Sequence, residues 1–298
     1  MKKTFHIVGA GRVGQTLARH LQVGGGWQLA QICGGHQAAL LADHCGGEIV
    51  PCLSRLSAAD VVWLTTPDSV IAGVAQAMAA LPWLTPDTLV LHCSGAQSAA
   101  VLAPLAERGV LTGSLHPVLA FADVETALAA LPGSLCALEA GQDAAMPVLH
   151  ALAEALGMQA FEMPSEHKAR YHAALSAASN FSVALAAFAQ TLLQPLTLPE
   201  TLSRQLVAGL MRQSVANLSL LPPELALTGP IVRGDDGTVA AHLAVLNDKE
   251  RAQYCAWATP VLALALASGR LDPAAAARLA ALLEAAPACG NDVSGKSF

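Results

Sequence analysis

Through the first half of the chain, short apolar runs alternate with stretches of helical period. Runs at 5–8, 29–33, 61–65, 88–93, 111–115 and 135–138 read as strands, and shorter ones at 48–50 and 159–162 add edges. Strand–helix–strand repetition predicts a mostly parallel, doubly wound sheet with helices on both faces. Right-handed crossovers bring the strand C-termini, and any ligand, to one edge. The pattern changes at Pro164-Ser165-Glu166. Ser165 suits an N-cap for a long helix through Lys168, Tyr171 and Asn180 toward Gln194, closed by Pro195 and Pro199. Helical stretches at 200–220, 239–246, 249–267 and 273–283 follow, with only Ile231-Val232 as a brief strand-like interruption. The expectation is an α/β Rossmann domain at 1–163 followed by an all-α domain at 164–298, its 287–298 tail frayed.

Composition sharpens this picture. A chain of 298 residues is long for one domain. It is 54% hydrophobic and 13% charged, and much of the apolar share is alanine, which favours helices. Net charge is -6 with no block of Lys or Arg, so a phosphate-tracking nucleic-acid surface is not expected. The seven cysteines form no CxxC pair and read as reduced core thiols of a cytoplasmic protein, with no metal site. The N-terminal apolar run is broken by glycines and Arg12 and reads as a strand, not a signal peptide. The segment 171–199 holds no Lys, Arg, Asp or Glu and mimics a membrane span. His172, Asn180, Gln190 and Gln194 within it favour the buried helix of a soluble homodimer over a membrane.

The chemistry begins at Gly9-Ala10-Gly11-Arg12-Val13-Gly14, a GxGxxG motif that ends a strand and opens a helix. Gly9 permits the tight turn, Gly11 lets a pyrophosphate approach the backbone, and Gly14 lets helix and strand pack closely. The helix start offers free N–H groups and partial positive charge to phosphates. NAD-preferring folds carry an acid at the end of the second strand. Here that place reads Cys33-Gly34-Gly35-His36. With no carboxylate to hold a ribose 2′-hydroxyl or repel a 2′-phosphate, NADP is expected, with NAD as the alternative. Arg12 and His36 are the nearest cations, although His36 equally suits a solvated loop.

Further strand ends at Thr65-Thr66-Pro67-Asp68, Cys93-Ser94-Gly95 and His116-Pro117 place small or polar groups on the ligand edge. His92, inside a strand, reads as a satisfied core histidine. In the long helix Lys168, His172, Ser176 and Asn180 recur every four residues, a slowly winding polar stripe. Such a stripe either ties helices together or faces a nicotinamide. A last cluster, Thr228-Gly229-Pro230-Ile231-Val232-Arg233-Gly234-Asp235 with Thr238 and His242, suits an anion-binding or interdomain loop, with Thr238 as a helix N-cap.

Together the glycine motif, the 92–95 strand end, His116-Pro117 with Phe121, Tyr171-His172-Ala173-Ala174 with Asn180, and the 228–235 loop with His242 resemble a known family. It is that of Rossmann-like predicted oxidoreductases with a C-terminal helical dimerisation domain of unknown function. That family is similar to 6-phosphogluconate dehydrogenases and ketopantoate reductases. The resemblance covers most of the chain and implies nicotinamide chemistry but fixes no substrate; the relatives carry a donor lysine near the start of the long helix, where Lys168 stands here, with His172 the other candidate. The first functional reading is a reductase of a small anionic carbonyl or imine, with Lys168 or His172 as proton donor and Ser94, His116 and Asn180 holding substrate; the resemblance makes 2-ketopantoate the leading candidate. The alternative is a non-catalytic dinucleotide-binding sensor or scaffold with the same cleft.

Overall fold

The computed structural model describes residues 2–285, so the 287–298 tail lies outside the described residues. Its first part runs β1 (Lys3–Val8), α1 (Arg12–Val23), β2 (Trp27–Cys33), α2 (Ala38–Cys45), β3 (Glu48–Val50), β4 (Val61–Leu64) and α3 (Asp68–Met78). There follow β5 (Leu89–His92), α4 (Ala103–Ala106), β6 (Leu111–Pro117), α5 (Val124–Ala130), β7 (Leu135–Ala140), α6 (Met146–Ala155) and β8 (Gln159–Glu162). Every strand expected before residue 164 is present, whereas Ile231-Val232 lies in a turn. The sheet order is β3-β2-β1-β4-β5-β6-β7-β8. The first six strands in that order are parallel, β7 runs antiparallel to β6, and β8 is parallel to β7. This is the doubly wound Rossmann arrangement extended by an antiparallel edge pair.

The strands are apolar at consecutive positions because both faces are covered. Phe5, Ile7, Trp63 and Leu91 pack with Leu17 of α1 and Leu149 and Leu152 of α6. Alternate residues Val62, Leu64 and Val90 pack on the opposite face with Ile71, Ala75 and Met78 of α3. The parallel strands therefore end together, at Gly9, Gly34, Thr65, Cys93 and just past His116.

The remaining elements are helical: α7 (Lys168–Ser176), α8 (Ser182–Leu193), α9 (Glu200–Leu218), α10 (Pro223–Ala226), α11 (Asp236–Val245), α12 (Asp248–Ala267) and α13 (Pro273–Glu284). No strand follows β8 among the described residues. The second compact unit, from Ser182 on, has its own core of Val239, Leu243, Cys255, Leu262 and Leu279. The first unit extends to Phe181, past the boundary expected at residue 163. Composition changes at Pro164, but Lys168 is drawn into the sheet and carries the first turns of the helix with it.

Capping differs from expectation at two places. Ser165 opens a short 3-10 turn, Ser165–His167, and its hydroxyl donates to Glu139 Oε1 at 2.5 Å instead of capping the helix. At α11 the N-cap is Asp235, whose carboxylate accepts from Thr238 N–H at 2.9 Å. An acid suits that place better than threonine because it also answers the helix dipole.

Candidate functional site

The glycine loop is built by backbone bonds between strand ends. Gly9 N–H donates to Cys33 O at 2.9 Å, and Ala10 N–H to Gly34 O at 3.1 Å. The first helical bond of α1 is Gln15 N–H to Gly11 O, at 3.0 Å. The amides of Arg12, Val13 and Gly14 thus start the helix without intrahelical acceptors. Ala10 contributes shape to the loop and not a free donor. A Cβ on Gly14 would lie 2.6 Å from Thr65 Oγ1 and 2.7 Å from Gly9 O, so only glycine allows this packing. A Cβ on Gly11 would meet nothing within 4 Å, so the space beside the helix start is open. At the next strand end Thr66 Oγ1 is buried without a partner. An open helix N-terminus beside a polar atom that lacks a partner fits a dinucleotide phosphate.

Gly35 changes the cofactor argument. It has φ of +93°, and a Cβ there would sit 2.5 Å from Ala10 N. No side chain fits, so the missing carboxylate at residue 35 is a steric requirement of the loop. Gly34, with φ of +74° and open space around it, is the place where an acid is absent by choice of residue. His36 is exposed. Arg12 Nη1 donates to Phe121 O at 3.4 Å, holding the segment after β6 against the glycine loop.

Two strands along, a polar cluster gathers. Ser94 follows β5, and its hydroxyl donates to Asp68 Oδ2 at 2.6 Å and accepts from Gln97 N–H at 3.0 Å. His92 is a satisfied core histidine: Nδ1 accepts from Ser94 N–H at 3.1 Å and Nε2 donates to Ser98 O at 3.3 Å. His116, near the end of β6, has Nδ1 2.8 Å from Tyr171 Oη. The His116 and His172 rings lie 6.3 Å apart. Both press on Gly95, where a Cβ would be 2.7 Å from His116 Nε2 and 2.9 Å from His172 Cδ2. Glycine at 95 is what allows the two rings to meet. Burial and the nearby Lys168 ammonium push the His116 pKa down to about 4, so the imidazole is neutral at pH 7. Burial raises Tyr171 to about 12, so its phenol keeps its proton.

Lys168 lies beneath this cluster, 1% exposed. Its ammonium donates to Ser114 Oγ at 2.5 Å and pairs with Glu139 Oε2 at 3.1 Å. Glu139 is as deeply buried and also accepts from Ala99 N–H at 2.8 Å. Desolvation lowers the Lys168 pKa, and the Glu139 carboxylate opposes that shift. Among the described residues no three His, Cys, Asp or Glu gather as metal ligands.

Residues 2–117 match the family model of the Rossmann-like domain, and residues 134–260 match a domain of unknown function, DUF2520. The chain carries a Rossmann-like domain followed by a DUF2520 domain. No curated protein sequence matches it. Among solved structures it is similar to a provisionally assigned NADP oxidoreductase from Bacteroides fragilis. The TM-score is 0.70 at 23% identity, covering 83% of this chain and 92% of the other. Protein TM1727 from Thermotoga maritima gives 0.63 at 26% identity, covering 94% and 98%. Pyrroline carboxylate reductase from Plasmodium falciparum, with NADP bound, gives 0.59 at 12% identity, covering 93% and 98%. These likenesses share the fold over nearly the whole chain.

The polar cluster joins the two matched segments within one compact unit: Ser94 and His116 lie in the Rossmann-like domain, Glu139, Lys168, Tyr171 and His172 in the DUF2520 match. Asn180 does not join it. Residues Ala177–Phe181 form a π-helical turn, which adds a residue to the helix and breaks the four-residue stripe. Asn180 is exposed there. The 228–235 loop belongs to the second unit, where His242 Nδ1 meets Tyr254 Oη at 2.9 Å. Sequence reasoning missed Glu139. Its signal was a lone carboxylate inside the apolar strand LCALEA, a position an acid occupies only with a partner.

Proposed function

We propose that the protein is an NADP(H)-dependent reductase of a small anionic carbonyl or imine compound. The observation that carries this reading is the meeting of His116, His172 and Tyr171 on the sheet edge that also bears the glycine loop. A scaffold or sensor would need the loop but not two histidines meeting over Gly95 with Tyr171 bonded to one of them. When bound, the dinucleotide supplies a hydride. The amides of Arg12, Val13 and Gly14 would hold its pyrophosphate. His116 and His172 present imidazole edges that hydrogen-bond the oxygen or nitrogen on which charge develops, and the proton it gains is supplied by solvent. Ser94, held by Asp68, would face the nicotinamide end of the bound dinucleotide. Lys168, enclosed by Ser114 and Glu139, acts through its charge and by anchoring the helix that bears His172. The imine class is supported by the fold shared with a pyrroline carboxylate reductase, and the 2-oxo acid class by the family resemblance, which names 2-ketopantoate. The test is NADPH oxidation against a panel of 2-oxo acids, 2-ketopantoate among them, and cyclic imino acids. The reading expects turnover with at least one, abolished in His116→Asn. NADPH binding with no turnover across the panel would favour a sensor.

The cofactor preference rests on the missing acid at Gly34, and the Plasmodium reductase carries NADP. The second unit supplies a partner surface. The helix Ser165–Leu196 is long and apolar enough to cross a membrane, yet only 6% of its most apolar window is buried within the chain. Its first turns are pinned to the sheet by Lys168. The free part, α8, has 12 residues, short of the roughly 20 that span a bilayer. Val183, Leu206, Leu210 and Val215 remain exposed on α8 and α9. A second copy of the chain covers this face in the proposed homodimer, a soluble cytoplasmic protein. Light scattering at micromolar concentration reads the mass, and a stable monomer would exclude the dimer.

A further inference from the structure

Two histidines meet over Gly95, and the reductase reading leaves open which nitrogen serves the substrate. The geometry at His116 settles more than the sequence could. Its Nδ1 is 2.8 Å from Tyr171 Oη, and the two rings meet edge to face at 89°. Tyr171 is itself fixed: Phe161 of β8 packs edge-on at 6.1 Å, and its place on α7 follows from Lys168 one turn earlier, locked to Ser114 and Glu139. Among the described residues no hydrogen bond engages His116 Nε2. A neutral imidazole has one N–H and one lone pair, and the partner of one nitrogen decides which the other carries.

We propose that Tyr171 is a positioning residue whose hydroxyl donates to Nδ1 of His116, fixing the tautomer with the proton on Nε2 and presenting that N–H to the carbonyl oxygen or imine nitrogen of the substrate. This rests on the reductase reading for its purpose, but the tautomer stands apart from it. A phenol is a stronger donor than a neutral imidazole N–H, and a phenol that keeps its proton to about pH 12 is a donor throughout the working range. The charged and titratable groups around His116 are Lys168 and His172 on α7, Asp68 on α3 and His92 on β5. Desolvation and the Lys168 charge are the largest influences, and both hold the ring neutral, the state in which a tautomer has meaning. In the Nε2–H form the ring can polarise a carbonyl without being a cation. In the Nδ1–H form Nε2 would offer only a lone pair and would repel the oxygen that a reductase must stabilise.

The experiment uses the full-length protein labelled with 15N. Long-range proton–nitrogen correlation spectra of the histidine side chains at pH 7.5 report which nitrogen bears the proton, and His116→Asn assigns the signals. The expected result is a protonated Nε2 and an acceptor Nδ1 in the wild type, with Tyr171→Phe shifting His116 toward a mixture of both forms. That variant keeps the ring packing and should bind NADPH as the wild type does. A proton on Nδ1 in the wild type overturns the proposal, and so does a His116 signal unmoved by Tyr171→Phe. Neither readout requires turnover, so failure here is separable from failure of the reductase reading, which the substrate panel tests. With a substrate in hand, Tyr171→Phe should lower kcat by about 10- to 100-fold with little change in KM for NADPH. An unchanged kcat removes the positioning role.

Discussion

Replacing Lys168 by methionine tests the buried pair that ties the long helix to the sheet. The side chains of Lys168 and Glu139 are 2% and 3% exposed, with 3.1 Å between charged atoms. Methionine fills nearly the same volume, so the change removes charge more than packing. Glu139 keeps its bonds from Ala99 N–H and Ser165 but loses its counter-charge. Breaking a buried pair from one side costs about 3–5 kcal/mol. For a unit of this size about 1 kcal/mol shifts Tm by roughly 2–4 °C, so the loss is roughly 6–20 °C. The double variant separates charge from packing, and urea unfolding followed by tryptophan fluorescence measures each. Lys168→Met with Glu139→Gln should recover most of the loss, because replacing both partners removes both charges. A loss under about 1 kcal/mol in Lys168→Met, or no recovery in the double variant, would refute the buried-pair reasoning.

Gly11→Glu should leave Tm unchanged, since a Cβ there meets nothing and the backbone φ is -78°, yet weaken NADPH binding at least about tenfold by calorimetry. Gly34→Asp should shift preference toward NADH, because it places an acid at the end of β2 where Asp tolerates positive φ. The ratio of the two dissociation constants checks this, and an unchanged ratio counts against the NADP assignment. His92 and His116 both have folded-state pKa values near 4, below the ordinary 6.5. The unfolded chain therefore binds more protons between about pH 4 and 6.5, so stability is full above that window and falls as pH drops through it. His92→Gln should flatten part of that slope in a pH series of thermal melts.

Much of this protein was legible in its residues. The apolar runs announced the central strands because these are buried on both faces, and burial writes a run of Val, Leu and Ile into the sequence whatever the neighbours are; the edge strands β3 and β8 are largely unburied and left only short runs. The glycine motif was legible as a recurring strand–turn–helix pattern, although the contacts that demand glycine at 9 and 14 include Thr65 and Thr66 on a strand end distant in sequence. Strand ends and the parallel order then put Ser94 and His116 on the ligand edge. What the sequence could not show was which polar residues would meet. The four-residue stripe assumed an unbroken α-helix, and the π-helical turn at Ala177–Phe181 removed Asn180 from it. Glu139 and Lys168 lie far apart in sequence, and their pairing depends on β7 turning antiparallel to β6 and the helix starting beneath it. Gly35 looked like a cofactor signal and is a steric one, decided by Ala10 across the loop. Periodicity and short-range geometry fix the elements because their energetics are local. Charge pairing, tautomer and close approach depend on neighbours that only the packed chain brings within reach.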